Sequence, residues 1–328
     1  MAAENHLPKE TALEPALPIC DAHHHLWQRP PVDYLLQDLL DDLASGHNIV
    51  STVAIECGYG YRKNGPEPLK PVGEVEFLDE IASRVAGNLS LTTRVAAAIV
   101  GFADLALGDR VAPVLEAHVA ASPNRFRGIR HSTTWDASAA LRSDASPGML
   151  ADGRFRRGFA WLKKLNLSFD AWLYHPQLAE LADLARAFPD VPIILDHIGA
   201  PLGVGPYAGR RDQVFQLWSR GIAEVSSCPN VVVKLGGVGS ARSGYDWHQR
   251  PVGPSSQELA EALKPYFEFC IEKFGVERCM FESNFPVEKR SNSYAVVWNA
   301  FKRLTRNCSA AERASLFHDA AARAYRIA

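Results

Sequence analysis

The chain has 328 residues, 47% of them hydrophobic and 22% charged, enough to bury roughly three quarters of its unfolded surface around an ordinary core. Thirty-five Lys and Arg against 37 Asp and Glu leave a formal charge of -2, too little positive field for a nucleic-acid partner to be expected. The cysteines, Cys20, Cys57, Cys228, Cys270, Cys279 and Cys308, form no CxxC pair, which speaks against a disulfide framework or a thiolate metal site and fits a reducing compartment.

Residues 1–18 hold Glu4, Glu10, Glu14 and three prolines without a basic start or a long apolar run, so they are expected to be an N-terminal extension rather than a signal peptide. The remainder, 19–328, is expected to form one domain. No stretch reaches 18 uninterrupted apolar residues, and a cytoplasmic protein without membrane contact is expected. From residue 19 onward, eight apolar, β-branched runs lie at 19–25, 49–57, 93–100, 126–131, 167–172, 192–197, 231–236 and 278–284, each predicted to be a strand. Amphipathic stretches separate them. In 177–188, for example, Leu178, Leu181, Ala182 and Ala185 recur at helical spacing; 259–274 has the same character, and 309–328 resembles a closing helix.

This α/β alternation predicts a single-domain (β/α)8 TIM barrel, because several runs end in charged or imidazole residues that only a common mouth would bring together. A doubly wound open sheet would announce a phosphate turn after its first strand, and none is present. GGVGSARSG at 236–244 lacks the spacing of such a turn and the acidic residue downstream; it reads as an active-site loop or a plain connection. The long connections 58–73 and 240–255 follow strand ends and are expected over the mouth.

The first run ends in Asp21-Ala22-His23-His24-His25. Period two places Asp21, His23 and His25 on one face and His24 on the other. Two imidazoles so spaced can share one divalent ion through neutral ring nitrogens. Glu56, Arg130, His197, Lys234 and Asn284 stand at or near later strand ends, and Trp135 and Tyr174 are candidate walls with polar edges. No Gly-x-Ser-x-Gly elbow occurs, so a serine hydrolase lacks its local signature.

DAHHHLW at 21–27, ILDHIGAP at 194–201, NVVVKLGG at 230–237 and CMFESNFPV at 279–287 together resemble the amidohydrolase superfamily. The similarity is closest to its amidohydrolase-2 branch, which includes sugar-acid lactonases and 2-pyrone-4,6-dicarboxylate lactonase. It spans nearly the whole chain, and it implies a (β/α)8 barrel that hydrolyses a lactone or related ester-like bond. By this resemblance His23 and His25 match the first-strand pair, His197 the sixth-strand histidine, Arg130 a basic fourth-strand position and Lys234 the seventh-strand position.

Two departures stand out. The eighth strand of the family ends in an aspartate that binds metal or accepts the proton of water, whereas this chain has Asn284, which cannot act as a base near neutral pH. Asp170 occupies the fifth strand, where better-known binuclear members carry a histidine. The expected cofactor is therefore none at all or one weakly bound divalent metal such as zinc, on His23, His25 and His197. Glu282, on the same strand face as Asn284 and one layer deeper, is the first candidate base, with His23, His25 and His197 as catalytic partners. Arg130, Lys234, Asn284, Glu56, Trp135 and Tyr174 are the expected substrate contacts. The expected function is ring opening of a small polar lactone by activated water. Two alternatives are a decarboxylase or hydratase on a small unsaturated or aromatic acid, and a catalytically disabled small-molecule-binding barrel. The expected partner is a small-molecule substrate, and a homo-oligomer is compatible with the sequence.

Overall fold

The structure, a computed structural model, describes residues 6–30, 32–88 and 91–327. Eight strands form one sheet in chain order: β1 (Pro18–His24), β2 (Asn48–Ile55), β3 (Arg94–Gly101), β4 (Phe126–Arg130), β5 (Ser168–Ala171), β6 (Ile193–Leu195), β7 (Val231–Leu235) and β8 (Cys279–Phe281). All neighbours pair in parallel. The last strand returns to the first just beyond its end, where Asn284 N–H donates to the His23 carbonyl at 2.9 Å and His25 N–H to the Phe285 carbonyl at 2.8 Å. The result is the TIM barrel that the alternation predicts.

The connections carry α1 (Leu36–Leu43), α2 (Val72–Ala86), α3 (Ala112–Ala121), α4 (Gly153–Lys164), α5 (Leu178–Ala187), α6 (Arg211–Ser226), α7 (Ser256–Phe274) and α8 (Tyr294–Leu304). Their apolar stripes bury Phe155, Phe159, Trp218 and Trp298 against the outer face of the sheet. The predicted closing helix is broken into α9 (Ala310–Ala314), a π turn (Ser315–Asp319) and α10 (Ala320–Ala324). Small inward residues, Cys20, Ala22 and Ala98, leave room inside the barrel for Tyr325, which packs with Val53, Val100, Ile194 and Met280. The N-terminal segment straps across the outside: Asn299 Nδ2 donates to Glu10 Oε2 at 3.0 Å, and Lys302 Nζ to the Leu13 carbonyl at 2.7 Å. Among the described residues no helix is long and apolar enough to cross a membrane.

The observed strands follow the predicted runs except at two ends that matter for chemistry. β6 stops at Leu195, because Asp196–Gly199 forms a tight turn in which His197 and Ile198 hold φ of 54° and 51°. After β8, Asn284 has φ 53°. Left-handed backbone at non-glycine residues costs on the order of 1–3 kcal/mol each and persists only where the surroundings enforce it. Hydrophobic periodicity carries no sign of these turns.

The expectation that Asp21, His23 and His25 share one face is corrected for Asp21. The β1–β2 register slips between Asp21 and His24, so strict alternation ends there. Asp21 accepts from Tyr294 Oη of α8 at 2.9 Å and from Ser283 N–H at 2.8 Å, away from the mouth that His23 lines.

Candidate active site

At the C-terminal ends of the strands three imidazoles meet. The His23 and His25 Nε2 atoms lie 3.1 Å apart, and the His23 and His197 rings have centroids 4.7 Å apart. Each ring is held from behind. His25 Nδ1 is 2.9 Å from the Ile55 carbonyl, so it carries the proton and leaves Nε2 as the lone-pair atom. Glu282, fully buried, lies 2.6 Å from His197 Nδ1 through Oε1 and 3.0 Å from His23 Nδ1 through Oε2. The carboxylate thus hydrogen-bonds His197 and lies beside His23, whose Nδ1 accepts from Lys234. Burial, before all else, keeps these imidazoles neutral: His23 is lowered to about 4, with Lys234 adding to the effect, and His197 to about 3, with Arg130, Lys234 and Arg242 adding. His25 is lowered well below its ordinary value by burial first, with the neighbouring His23 ring and the Arg130 guanidinium adding to it.

Lys234 is fully buried beneath the rings. Its Nζ donates to Asp170 Oδ2 at 2.7 Å and lies 2.9 Å from Asp196 Oδ1 and 3.0 Å from His23 Nδ1. The ammonium thus hydrogen-bonds Asp170 and His23 and ion-pairs with Asp196. Burial works to neutralise Lys234, but the two aspartates and Glu282 outweigh it and hold it charged. Burial likewise pushes Asp196 up, and Lys234 with His23 reverses this, leaving its carboxyl well below the usual range. Asp170, which also accepts from Tyr325 Oη at 2.6 Å, is raised by burial to about 6 against the pull of Lys234. Arg130 is clamped by Glu56, through Nε to Oε1 at 2.7 Å and Nη2 to the Glu56 carbonyl at 2.5 Å. Its Nη1 faces the rings, 3.3 Å from His23 Nε2 and 3.5 Å from Asp196 Oδ2.

This donor set fits a divalent ion. His23, Asp196 and His197, all buried, each offer one ligand atom within 4.8 Å of the others. The 3.1 Å between the Nε2 atoms of His23 and His25 is near the ~3.3 Å that separates two nitrogens on a tetrahedral zinc. In that state His23 would turn its Nδ1 proton to Glu282, the outer carboxylate that metal-binding histidines usually have. The Arg130 guanidinium and the Lys234 ammonium, both within reach of His23, would oppose the added positive charge of such an ion and weaken its hold.

The remaining expected residues are placed differently. Glu56 is spent on Arg130. Tyr174 donates its hydroxyl to the Arg142 carbonyl at 2.6 Å, and the Trp135 backbone N–H donates to Gln177 Oε1 at 3.0 Å. The wall beside His197 is instead Trp172, edge-on with centroids 4.9 Å apart. Asn284 is buried next to the strand end of His23. A larger cavity of about 190 Å³, bounded by Leu202, Tyr207, Arg211 and Tyr245 among others, is lined by none of the imidazoles.

The family model described as amidohydrolase matches residues 20–327. The chain belongs to the amidohydrolase family. It is 33% identical over 331 residues to the uncharacterized protein y4mH of Sinorhizobium fredii, covering 94% of this chain and 98% of that one. It is 27% identical to an L-fucono-1,5-lactonase of Burkholderia multivorans, covering 94% and 95%. A crystal structure of a Burkholderia multivorans amidohydrolase with bound zinc superposes with a TM-score of 0.72 at 26% identity, covering 94% of this chain and 99% of that one.

Three groups of this amidohydrolase escape a reading of the sequence. Asp196 stands there only as a neighbour of His197, yet it joins Lys234, Arg130 and His23. Arg242, in the connection after β7, places its guanidinium over the Trp172 ring at 4.7 Å and hydrogen-bonds no carboxylate among the described residues. Glu74, on α2, pins the long connection after β2 by accepting from the N–H groups of Cys57, Gly58 and Tyr59 at 2.8, 3.3 and 3.1 Å. Burial and the nearby Glu56 raise Glu74 to about 7 against those donors. A carboxyl whose folded value exceeds its unfolded one stabilises fully below about 4.5 and loses that contribution as pH rises through the folded value. Relative to Glu74→Gln, the wild type is therefore expected to lose thermal stability between about pH 4.5 and 8. Scanning calorimetry of both proteins checks this, and a constant difference would contradict it.

Proposed function

We propose that this amidohydrolase opens a small polar lactone bearing a carboxylate, with His197 as the base that activates water and Glu282 as its support. The observation that carries this reading is the His197–Glu282 pair, 2.6 Å apart and buried, whose free imidazole nitrogen lies among His23, Asp196 and Arg130. With Nδ1–H donated to Glu282, His197 Nε2 accepts the proton of an attacking water. The water oxygen bonds to the lactone carbonyl carbon, and the resulting oxyanion is met by Arg130 Nη1, already oriented by its two bonds to Glu56. Collapse breaks the ring C–O bond; the alkoxide takes the proton back from His197, and the new carboxylic acid releases one to solvent. Lys234 holds Asp196 and His23 in place rather than meeting substrate, since its protons are committed. His23, His25 and Asp196 would hold a divalent ion, which would supply Lewis-acid polarisation of the carbonyl when bound, with His197 Nε2 left free as the base.

The lactonase reading is supported by the similarity to L-fucono-1,5-lactonase. Arg242 supports the carboxylate: its half-buried guanidinium lies over Trp172, the wall beside His197, without an acidic hydrogen-bond partner among the described residues. Desolvation disfavours its charge, which an anionic substrate group would offset. Proton release from a panel of neutral aldonolactones, muconolactones and pyrone carboxylates tests the reading. Turnover of the carboxylated members is expected, with kcat/KM about tenfold to a hundredfold lower in Arg242→Met, and silence across the panel would contradict it.

A further inference from the structure

The end of the barrel opposite the imidazoles holds a cavity of about 400 Å³, bounded by Arg94, Arg125, Arg127 and Arg326 together with apolar side chains such as Val85 and Leu91. Arg94 opens β3 and Arg127 is the second residue of β4, so both stand where the strands begin. Arg326 follows Tyr325, the side chain that packs inside the barrel. No Asp or Glu among the described residues lines this cavity. In a chain of formal charge -2, four guanidiniums around one hollow are a local excess of cation.

Among the described residues only Arg125 has a carboxylate partner, Asp79 Oδ1 at 2.8 Å. Arg127 donates to the carbonyls of Tyr325, Phe126 and Asn124 at 2.9, 3.0 and 2.6 Å, and Arg326 Nη2 to those of Arg127 and Asn166 at 3.2 and 3.0 Å. These bonds cross between the two segments and keep both guanidiniums at one wall. A carbonyl accepts a hydrogen but carries no net charge, so the two cations stay uncompensated. Arg94, exposed, makes no hydrogen bond or ion pair among the described residues. Arg326 reaches its place with φ of 52°, left-handed backbone that an arginine holds only where the surroundings enforce it. Burial, and after it Arg326, disfavours the charge of Arg127, and burial disfavours that of Arg326. An anion between the guanidiniums offsets both the desolvation and the like-charge repulsion.

We infer that this cavity is a binding site for a free phosphate-type oxyanion of two or more charges, held by Arg94, Arg127 and Arg326. The planar fork of a guanidinium meets phosphate oxygens in pairs, and Arg94 together with Nε and Nη1 of Arg326 supplies donors that no protein group takes among the described residues. The volume lies within the range of small-molecule sites, about 300–1,000 Å³, which leaves room for a diphosphate. The site ties the starts of β3 and β4 to the C-terminal segment, so an occupant stabilises the barrel. None of the three arginines belongs to the mouth, and the inference is independent of the lactonase reading.

Isothermal titration calorimetry with inorganic pyrophosphate, at constant ionic strength in metal-free buffer, tests the site without any turnover. One saturable site with Kd at or below about 1 mM is expected, and Arg326→Met is expected to weaken it at least about tenfold. Since Arg326 also bonds two carbonyls, its loss loosens the C-terminal segment as well. Arg94→Gln separates the two effects: it is expected to weaken binding about tenfold while the melting temperature of the anion-free protein stays unchanged. Arg242→Met, at the opposite end of the barrel, is expected to leave Kd within about twofold of wild type. Absence of saturable binding overturns the inference, as does an unchanged Kd in either Arg94→Gln or Arg326→Met. An equal loss in Arg242→Met would place the anion in the mouth and overturn it too.

Discussion

Lys234→Met is expected to cost about 3–5 kcal/mol of stability and to abolish turnover with it. The change leaves Asp170 and Asp196, both fully buried, without the cation that they share at 2.7 and 2.9 Å. Water cannot reach them to replace it. Tyr325 Oη would remain as a donor to Asp170, but Asp196 would keep only the long approaches of Arg130 Nη1 at 3.5 Å and His23 Nδ1 at 3.6 Å. Denaturant unfolding followed by tryptophan fluorescence measures the loss. Adding Asp170→Asn to Lys234→Met removes one stranded charge and is expected to recover part of the stability without restoring activity. A double variant no more stable than Lys234→Met would show that the aspartates do not depend on the lysine.

Glu282→Gln is expected to reduce kcat by about 10²–10⁴-fold while the fold survives. A carboxylate accepts through either oxygen, whereas an amide accepts at oxygen and donates at nitrogen. When the substituted amide presents its N–H₂ end to His197 Nδ1, that imidazole is driven into the tautomer that hides its lone pair from the mouth. The imidazolium formed during water activation also loses its counter-charge. Steady-state proton release, with circular dichroism to verify the fold, checks the expectation; a kcat within about threefold of wild type would remove Glu282 from the mechanism.

The legibility of this protein in its sequence divides along physical lines. Strand positions are readable because the sheet is covered by helices on the outside and filled within, so apolar runs such as 231–236 mark it directly. The strand ends are less readable. His197 and Asn284 leave extended geometry through positive φ, a choice enforced by packing around them rather than by their own preferences. His23, His25, His197, Arg130, Lys234 and Glu282 do converge, as position at strand ends implies. What alternation cannot supply is the order of layers: Glu282 lies behind His197 as its acceptor, and Lys234 lies below the rings as a counter-ion. Asp21 is misplaced by the period of two because a register slip beside it breaks that period. Arg242 reaches the site through a loop, where no periodicity operates. The glycines at 236 and 237 in the same loop leave room for Glu282 and His197, which a Cβ there would overlap.

The central claim is that a neutral His197, backed by Glu282, activates water against a lactone carbonyl in this mouth. Initial rates of acid release from the best lactone of the panel, for wild type and His197→Asn side by side, test it most directly. The account predicts clear turnover by the wild type and a loss of about 10²–10⁴-fold in kcat for His197→Asn, whose amide cannot take up the proton. Equal rates in the two proteins, or no acid above the spontaneous background in either, would contradict it.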